Sequence, residues 1–389
     1  MSRESFCYKP KSLEAGDKIG LINPVGAMNK KYAATAIPRV TSDLERKGFI
    51  IGEPEITNKK KALVEGIQDP YILIDYHDPY LTDEEIRLNP YYINRRSFLA
   101  FNNPSSIERA RLFNEAVACC HAVFPLVGNR FGMDIIHLID YGAFRNRRPV
   151  IVTYSAASAL LLILHLRTNT VVFYGPHIHF LAGGYENDYT ASSFWNLLRQ
   201  KGQEANSGGN KLLVLKNIYS DPEESHIPPS EKIPFFGYKT NQVPPLVAGK
   251  LTPVFLFSLK EVLEQGKTDF DPEGRILMVE ADERNYDDCL AALQLAHQLT
   301  DLSKLSALVL ASFIAFKPES AALRDELLDP VKIQEFVLGV RKLLKDNVPV
   351  IYGFPMGHSK YKLTIPMGVQ AKLNIETGNI VLEESPFSN

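Results

Sequence analysis

The sequence predicts an α/β protein in two parts, each with its own sheet and core. Three observations carry that expectation. Residues 18–200 alternate short apolar runs with amphipathic stretches, the pattern of parallel strands joined by helices. The same alternation returns after residue 246. Between them, 203–245 loses periodicity and collects Gly208-Gly209, Pro222, Pro228-Pro229, Pro234 and Pro244-Pro245, as a linker or loop-rich crossover does. A length of 389 residues suits two such units. They are placed at 1–200 and 246–389, with 201–245 joining them.

In chain order, Lys18 to Asn23 reads as a strand ended by Pro24. Lys31 to Lys47 reads as an amphipathic helix closed by Gly48, and Phe49 to Ile51 as the returning strand. Residues 67–103, rich in Tyr, Asp, Pro and Asn, break the alternation and read as an insertion that forms a surface lid or contact. Ile107, Ala110, Leu112, Phe113 and Ala116 give 106–120 a helical period, and 122–127 is the next strand. Pro149 to Thr153 is an apolar strand, and Ala157 to His165 is a helix-like apolar stretch. In the second unit 276–279, 305–310 and 348–352 read as strands, and 286–299 and 330–344 as helices. There is no internal repeat.

Bulk composition narrows the classes of function. Hydrophobic residues make up 45% and charged residues 23%, ordinary for a soluble globular chain, and the formal net charge is −2. Without a basic block, nucleic acid is not an expected partner; Lys59-Lys60-Lys61 reads as a solvated loop. The N-terminus carries no apolar signal core, and the longest apolar stretch, 156–164, is too short to span a bilayer, so neither membrane nor secretion is expected. Cys7, Cys119, Cys120 and Cys289 show no metal-ligand spacing and read as reduced thiols of a cytoplasmic protein.

Tyr154-Ser155-Ala156 is the most informative feature. A serine between a strand and a helix sits on a sharp turn, its hydroxyl raised over helix N–H groups that can hold an oxyanion. The plain structural reading is an N-cap serine, and the flanking glycines of a G-x-S-x-G elbow are absent: Thr153 and Ala157 stand there. Glu280 ends an apolar strand, where a charge is costly unless it has a partner; Asp282 and Glu283 beside it read as a solvated turn. His358 follows Gly357 and reads equally as a loop histidine. His177 and His179 straddle Ile178 and could place two imidazoles on one strand face, but no third ligand has matching spacing, so no metal is expected. Trp195 reads as a helix packing residue.

Taken together, the segments resemble the serine LD-carboxypeptidases that cut muramoyl tetrapeptide and the related microcin C self-immunity peptidases. Gly16-Asp17-Lys18-Ile19 followed by Pro24 is similar to the family's opening strand. Residues 107–116 resemble its Arg-Ala-x-x-Leu helix, and Leu138-Ile139-Asp140-Tyr141 its Leu-Asp-Tyr. Tyr154-Ser155 with Ser158-Ala159-Leu160 resembles Gly-Tyr-Ser-Asp-x-Thr-Ala-Leu, and Tyr174-Gly175-Pro176 its His/Tyr-Gly-Pro. In the second half, Gly249-Lys250-Leu251, Ile276 to Glu280, Gly353 to His358 and Pro366-Met367-Gly368 match further segments in the same order.

The resemblance implies a Ser155-His358-Glu280 triad at the cleft between the domains, with the Ala156 N–H and the 128–130 loop (Gly128, Asn129, Arg130) serving the oxyanion or the substrate. It also implies a homodimer, a small peptide or amide substrate, and no cofactor. Three departures stand out. The Asp after the nucleophile is Ala156, the Gly before the Tyr is Thr153, and the glycine-rich Arg-Gly-Gly-Tyr-Gly loop aligns to Gly128-Asn129-Arg130-Phe131-Gly132. The altered loop argues against plain recycling of cell-wall tetrapeptide and favours a peptide or amide of a specialised metabolite. Two other readings stay open: acyl transfer through the same acyl-enzyme, and an inactive homologue that binds a peptide or protein.

Overall fold

The computed structural model describes residues 7–24, 30–52, 105–126, 128, 132–182, 186–199, 213–220, 227, 233–238, 243–266, 269–282, 284–311, 313 and 327–388. Asn129, Arg130, Glu283 and the 67–103 insertion therefore lie outside the described residues.

In the first half β1 (Lys18–Ile22), β2 (Ile50–Ile51), β3 (Ala122–Pro125), β4 (Val150–Thr153) and β5 (Val172–Tyr174) form one parallel sheet, ordered β5-β4-β3-β1-β2. Parallel strands with both faces covered require continuous apolar runs, and Val150 to Thr153 are all buried. Helix starts follow side-chain caps. Ser105 accepts the Glu108 N–H at the head of α2 (Ser106–Cys119), and Asp140 accepts that of Ala143 at the head of α3 (Tyr141–Arg147). Helix α1 spans Lys30–Arg46.

The second sheet has eight strands in the order β6-β14-β13-β8-β9-β10-β11-β7. These are β6 (Val214–Leu215), β7 (Phe236–Tyr238), β8 (Leu246–Phe255), β9 (Arg275–Glu280), β10 (Ala307–Ala311), β11 (Val350–Phe354), β13 (Gln370–Asn374) and β14 (Ile380–Leu382). Strands β8 to β11 are parallel, and the others flank them antiparallel. The molecule is thus a two-domain α/β protein. The segment read as a linker does more than join: β6 and β7 lie in it and form both edges of this sheet. Strands of two or three residues are too short to show a period, which is why the sequence pattern misses them.

Two features fasten the halves together. Helix α4 (Ser158–Thr168) is apolar on every side, and from Leu160 to Leu164 no residue keeps any exposed surface. It packs against β4 and β5 on one side and against β8 and α7 (Leu256–Glu264) on the other. An all-apolar helix belongs in a core rather than at a surface. The second fastening is a strand exchange. After β11 the chain crosses to the first sheet, where β12 (Ile365–Met367) pairs antiparallel with β5, and then returns as β13. Gly368, at φ +91°, makes that return; a Cβ there would stand 2.3 Å from His165 Cε1 of α4.

The loop from His358 to Thr364, which bridges the sheets, is held by the start of α6 (Asp188–Leu198). Lys362 Nζ binds both carboxylate oxygens of Glu186 at 2.7 and 2.9 Å. The Lys362 N–H donates to Thr190 Oγ1, the Asn187 amide to the Lys360 carbonyl, and the Thr364 N–H to Ser193 Oγ. Both charged side chains of the pair are buried, and burial pushes the Lys362 ammonium down and the Glu186 carboxyl up. Such a pair fixes geometry more than it stabilises. Lys362→Met alone is expected to cost about 3–5 kcal/mol by stranding Glu186. Adding Glu186→Leu should restore most of the loss in a denaturant titration.

Candidate active site

Strand β4 hands the chain to a 3-10 turn, Ser155–Ala157, which runs directly into α4. From Pro149 to His165 every residue is buried except Ser155. Ser155 also holds φ at +60°. Arg148, Asn169 and Asp301 share that left-handed conformation, but each caps a helix C-terminus. Ser155 instead precedes a helix. For an L-residue this geometry costs roughly 1–2 kcal/mol, and it raises the side chain above the strand end. The first N–H groups of such a turn have no partner within it.

The turn is stitched to the second domain. Ser158 Oγ accepts the Phe255 N–H at 3.0 Å, and the Ser258 hydroxyl donates to the Ala156 carbonyl at 3.0 Å. Thr153, in place of the expected glycine, is buried and its Oγ1 meets His177 Nε2 at 2.8 Å. That bond accommodates the larger residue. Gly128 is buried against the same region: a Cβ there would lie 2.8 Å from the Tyr154 carbonyl and 3.0 Å from His177 Cε1. Beyond it, Arg109 of α2 is buried and bonds the Pro24 carbonyl at 2.7 Å and the Asp134 carboxylate.

His177 and His179 do not lie on a strand. His177 stands before the short helix α5 (Ile178–Ala182), and His179 is in it. Their rings are 5.6 Å apart, and burial drives the His177 imidazole well below its ordinary range. It is a neutral hydrogen-bonding group. Trp195, in α6, stacks on Phe49 at 5.8 Å, a packing role.

Glu280 and His358 come from the second sheet. Glu280 is the last residue of β9 and has no exposed surface. His358 follows β11 and keeps 16% of its side chain exposed. Its Nδ1 lies 2.9 Å from Glu280 Oε2. The other carboxylate oxygen, Oε1, accepts the Tyr174 hydroxyl. Gly357 is needed for this approach: at φ +72°, a Cβ would sit 2.3 Å from Glu280 Cγ.

The His358 imidazole is held above its ordinary pKa. Burial opposes the charge, but Glu280, by charge and hydrogen bond, and then Asp282 outweigh it. Asp282, read as a solvated turn residue, places Oδ2 3.5 Å from His358 Nε2. Ser155 joins this group through its neighbours. The ring of Tyr154, the residue before it, lies 4.9 Å from His358. The Ser155 hydroxyl itself makes no hydrogen bond to His358.

Two features of the rim have no sequence signal. Phe255 stands 6.0 Å from His358 and 5.7 Å from Phe257, and the Arg284 guanidinium lies 5.4 Å over the Phe257 ring. The sequence shows an arginine and two aromatics, but only the fold brings Phe255 to the imidazole and stacks Phe257 and Arg284 in line behind it.

Comparison with known proteins agrees with this arrangement of elements. Residues 246–373 match the LD-carboxypeptidase C-terminal domain. The microcin C7 self-immunity protein MccF of Escherichia coli is 24% identical over 306 residues, covering 72% of this chain and 79% of its own. A Bacillus subtilis protein named "Probable murein peptide carboxypeptidase" is 22% identical over 383 residues, 97% of this chain and 95% of its own. Among solved structures, MccF in complex with glutamyl sulfamoyl guanosine superposes with a TM-score of 0.65 at 20% identity, covering 98% of this chain and 99% of that one. Residues 246–373 thus match the LD-carboxypeptidase C-terminal domain, and the chain as a whole is similar in sequence and fold to microcin C self-immunity proteins and murein peptide carboxypeptidases.

Proposed function

We propose that this chain is a serine peptidase or amidase that cleaves an amide bond of a small peptide or specialised metabolite through Ser155, His358 and Glu280. The observation that carries the reading is Ser155 itself: the one accessible residue of a buried strand-turn-helix, held in a strained conformation next to Tyr154, whose ring packs on the histidine of a histidine–carboxylate pair. In the reaction the Ser155 hydroxyl adds to the substrate carbonyl while His358 Nε2 takes its proton. Nδ1–H stays on Glu280, which holds the tautomer and stabilises the imidazolium. The oxyanion is received by the Ala156 N–H and by the loop beginning at Gly128. Collapse returns the proton to the departing amine, and water then releases the acyl group by the same route reversed.

The rim supports the substrate class. Tyr154, Phe255 and Phe257 offer aromatic faces, and Arg284 offers a bidentate fork for an anionic group. MccF binds glutamyl sulfamoyl guanosine, an aminoacyl sulfamoyl nucleoside that combines such parts. The acting unit is proposed to be a homodimer in the cytoplasm. Among the described residues no helix is long and apolar enough to cross a membrane.

One observation favours a non-catalytic binder instead: His358 Nε2 faces Asp282 rather than the Ser155 hydroxyl. A fluorophosphonate separates the two readings. The wild type should be labelled at Ser155, and Ser155→Ala should fold, lose all labelling and lose turnover of aminoacyl sulfamoyl amides or LD-peptides. A folded wild type without labelling would establish the binder.

The base must be neutral to act, and its pKa is raised, so the rate should climb through a midpoint above the ordinary histidine value of about 6.5. Asp282→Asn removes one of the groups that raise it. The His358 midpoint, followed by NMR of the imidazole, is expected to fall, and the acid limb of labelling to move to lower pH. An unmoved midpoint would assign the shift to Glu280 alone.

A further inference from the structure

We propose that Tyr174 is a positioning residue of this site, its hydroxyl reaching from the first sheet to hold the Glu280 carboxylate that orients His358. The inference rests on the Ser155-His358-Glu280 reading for its catalytic consequence, and on geometry alone for its existence. Tyr174 ends β5 and has no exposed surface. It stands opposite Thr153 of β4, two residues before the nucleophile, and opposite Ile365 of β12 on its other side. Tyr174 therefore sits at a strand end flanked by a strand from each half of the chain.

The hydroxyl donates to Glu280 Oε1. Glu280 Oε2 is committed to His358 Nδ1. A chain of bonds thus runs from the phenol of the first sheet through the carboxylate to the imidazole of the second. Burial and the adjoining carboxylate keep the Tyr174 phenol protonated far above neutral pH, so it remains a donor whenever the site works. Without it, Oε1 of a fully buried carboxylate would lose this donor.

The electrostatic consequence has a definite sign. The phenol draws negative charge from Glu280. Removing it leaves that charge more fully on the imidazole, so the charged pair gains over the state with neutral His358, and the His358 midpoint rises. The other groups facing the imidazole are Asp282 from the loop after β9 and Lys362 from its own loop, the latter paired with Glu186. His177, kept neutral by burial, lies behind Tyr154. None of them touches the Tyr174 hydroxyl, so they form a constant background.

Tyr174→Phe keeps the ring and deletes the donor. We expect a folded protein whose His358 midpoint, read by NMR of 13C-labelled histidine, lies higher than in the wild type. Fluorophosphonate labelling should fall roughly 10- to 100-fold, with its acid limb displaced upward in step. Tyr174→Met, also without a donor, takes its place if the phenylalanine form does not fold. An unchanged midpoint in the folded variant overturns the inference, whether or not the rate falls, because loss of packing alone would slow labelling without moving the titration. A wild type that never labels refutes the hydrolase reading, and the His358 midpoints then still decide the role of Tyr174.

Discussion

A carboxylate without exposed surface is the constraint around which this molecule is arranged. Leaving Glu280 ionised and unpaired in an apolar interior would cost several kcal/mol, so each of its oxygens needs a donor. Strand β9 can bring the carboxylate to the top of the second sheet, but its own sheet does not provide both donors. One comes from Tyr174 of the first sheet and the other from His358, on a loop that leaves the second sheet for the first. Satisfying one buried charge thus demands that two sheets meet at a fixed distance. The strand exchange through β12 and the all-apolar helix α4 are the means by which they do.

That demand explains several residues with no chemistry of their own. Gly357 must lack a side chain because Glu280 passes where its Cβ would be, and Gly368 because the returning chain runs against His165. Lys362 and Glu186 are an expensive way to fill an interior. Their bidentate geometry, with Asn187, Thr190 and Ser193 bonding the same loop, fixes where His358 begins. Ser158 and Ser258 do the same for the nucleophile turn. Polar groups in a seam of this kind trade stability for register.

Long elements and the motif residues were legible in the sequence. Val150 to Thr153 could only be a buried strand, and the apolar run after Ser155 could only be a core helix. Glu280 at a strand end announced its need for a partner, though nothing in the sequence pointed to Tyr174, 106 residues away. The rest was hidden because it depends on distant pairing. Strands β6 and β7 are too short to carry a period, and β12 contains Pro366, which sequence reading discounts; an edge position is where a sheet tolerates it. The spacing of His177 and His179 fits one face of a strand, but a two-residue spacing cannot reveal the start of a five-residue helix. Asp282 is the half-exposed turn residue that the sequence suggests, but only the fold brings its carboxylate to the imidazole.

The departures from the family pattern also take on physical meaning together. A glycine before the Tyr-Ser pair leaves space above the strand end; Thr153 fills it, and its hydroxyl must then be satisfied. His177 does so, and burial keeps that imidazole neutral, so the substitution adds no charge beside the base. The same imidazole lies within contact of Gly128, where any Cβ would strike both it and the Tyr154 carbonyl. Thr153, His177 and Gly128 therefore form one packing unit beneath the nucleophile turn, and Gly128 must stay a glycine even though its neighbours in the loop have changed.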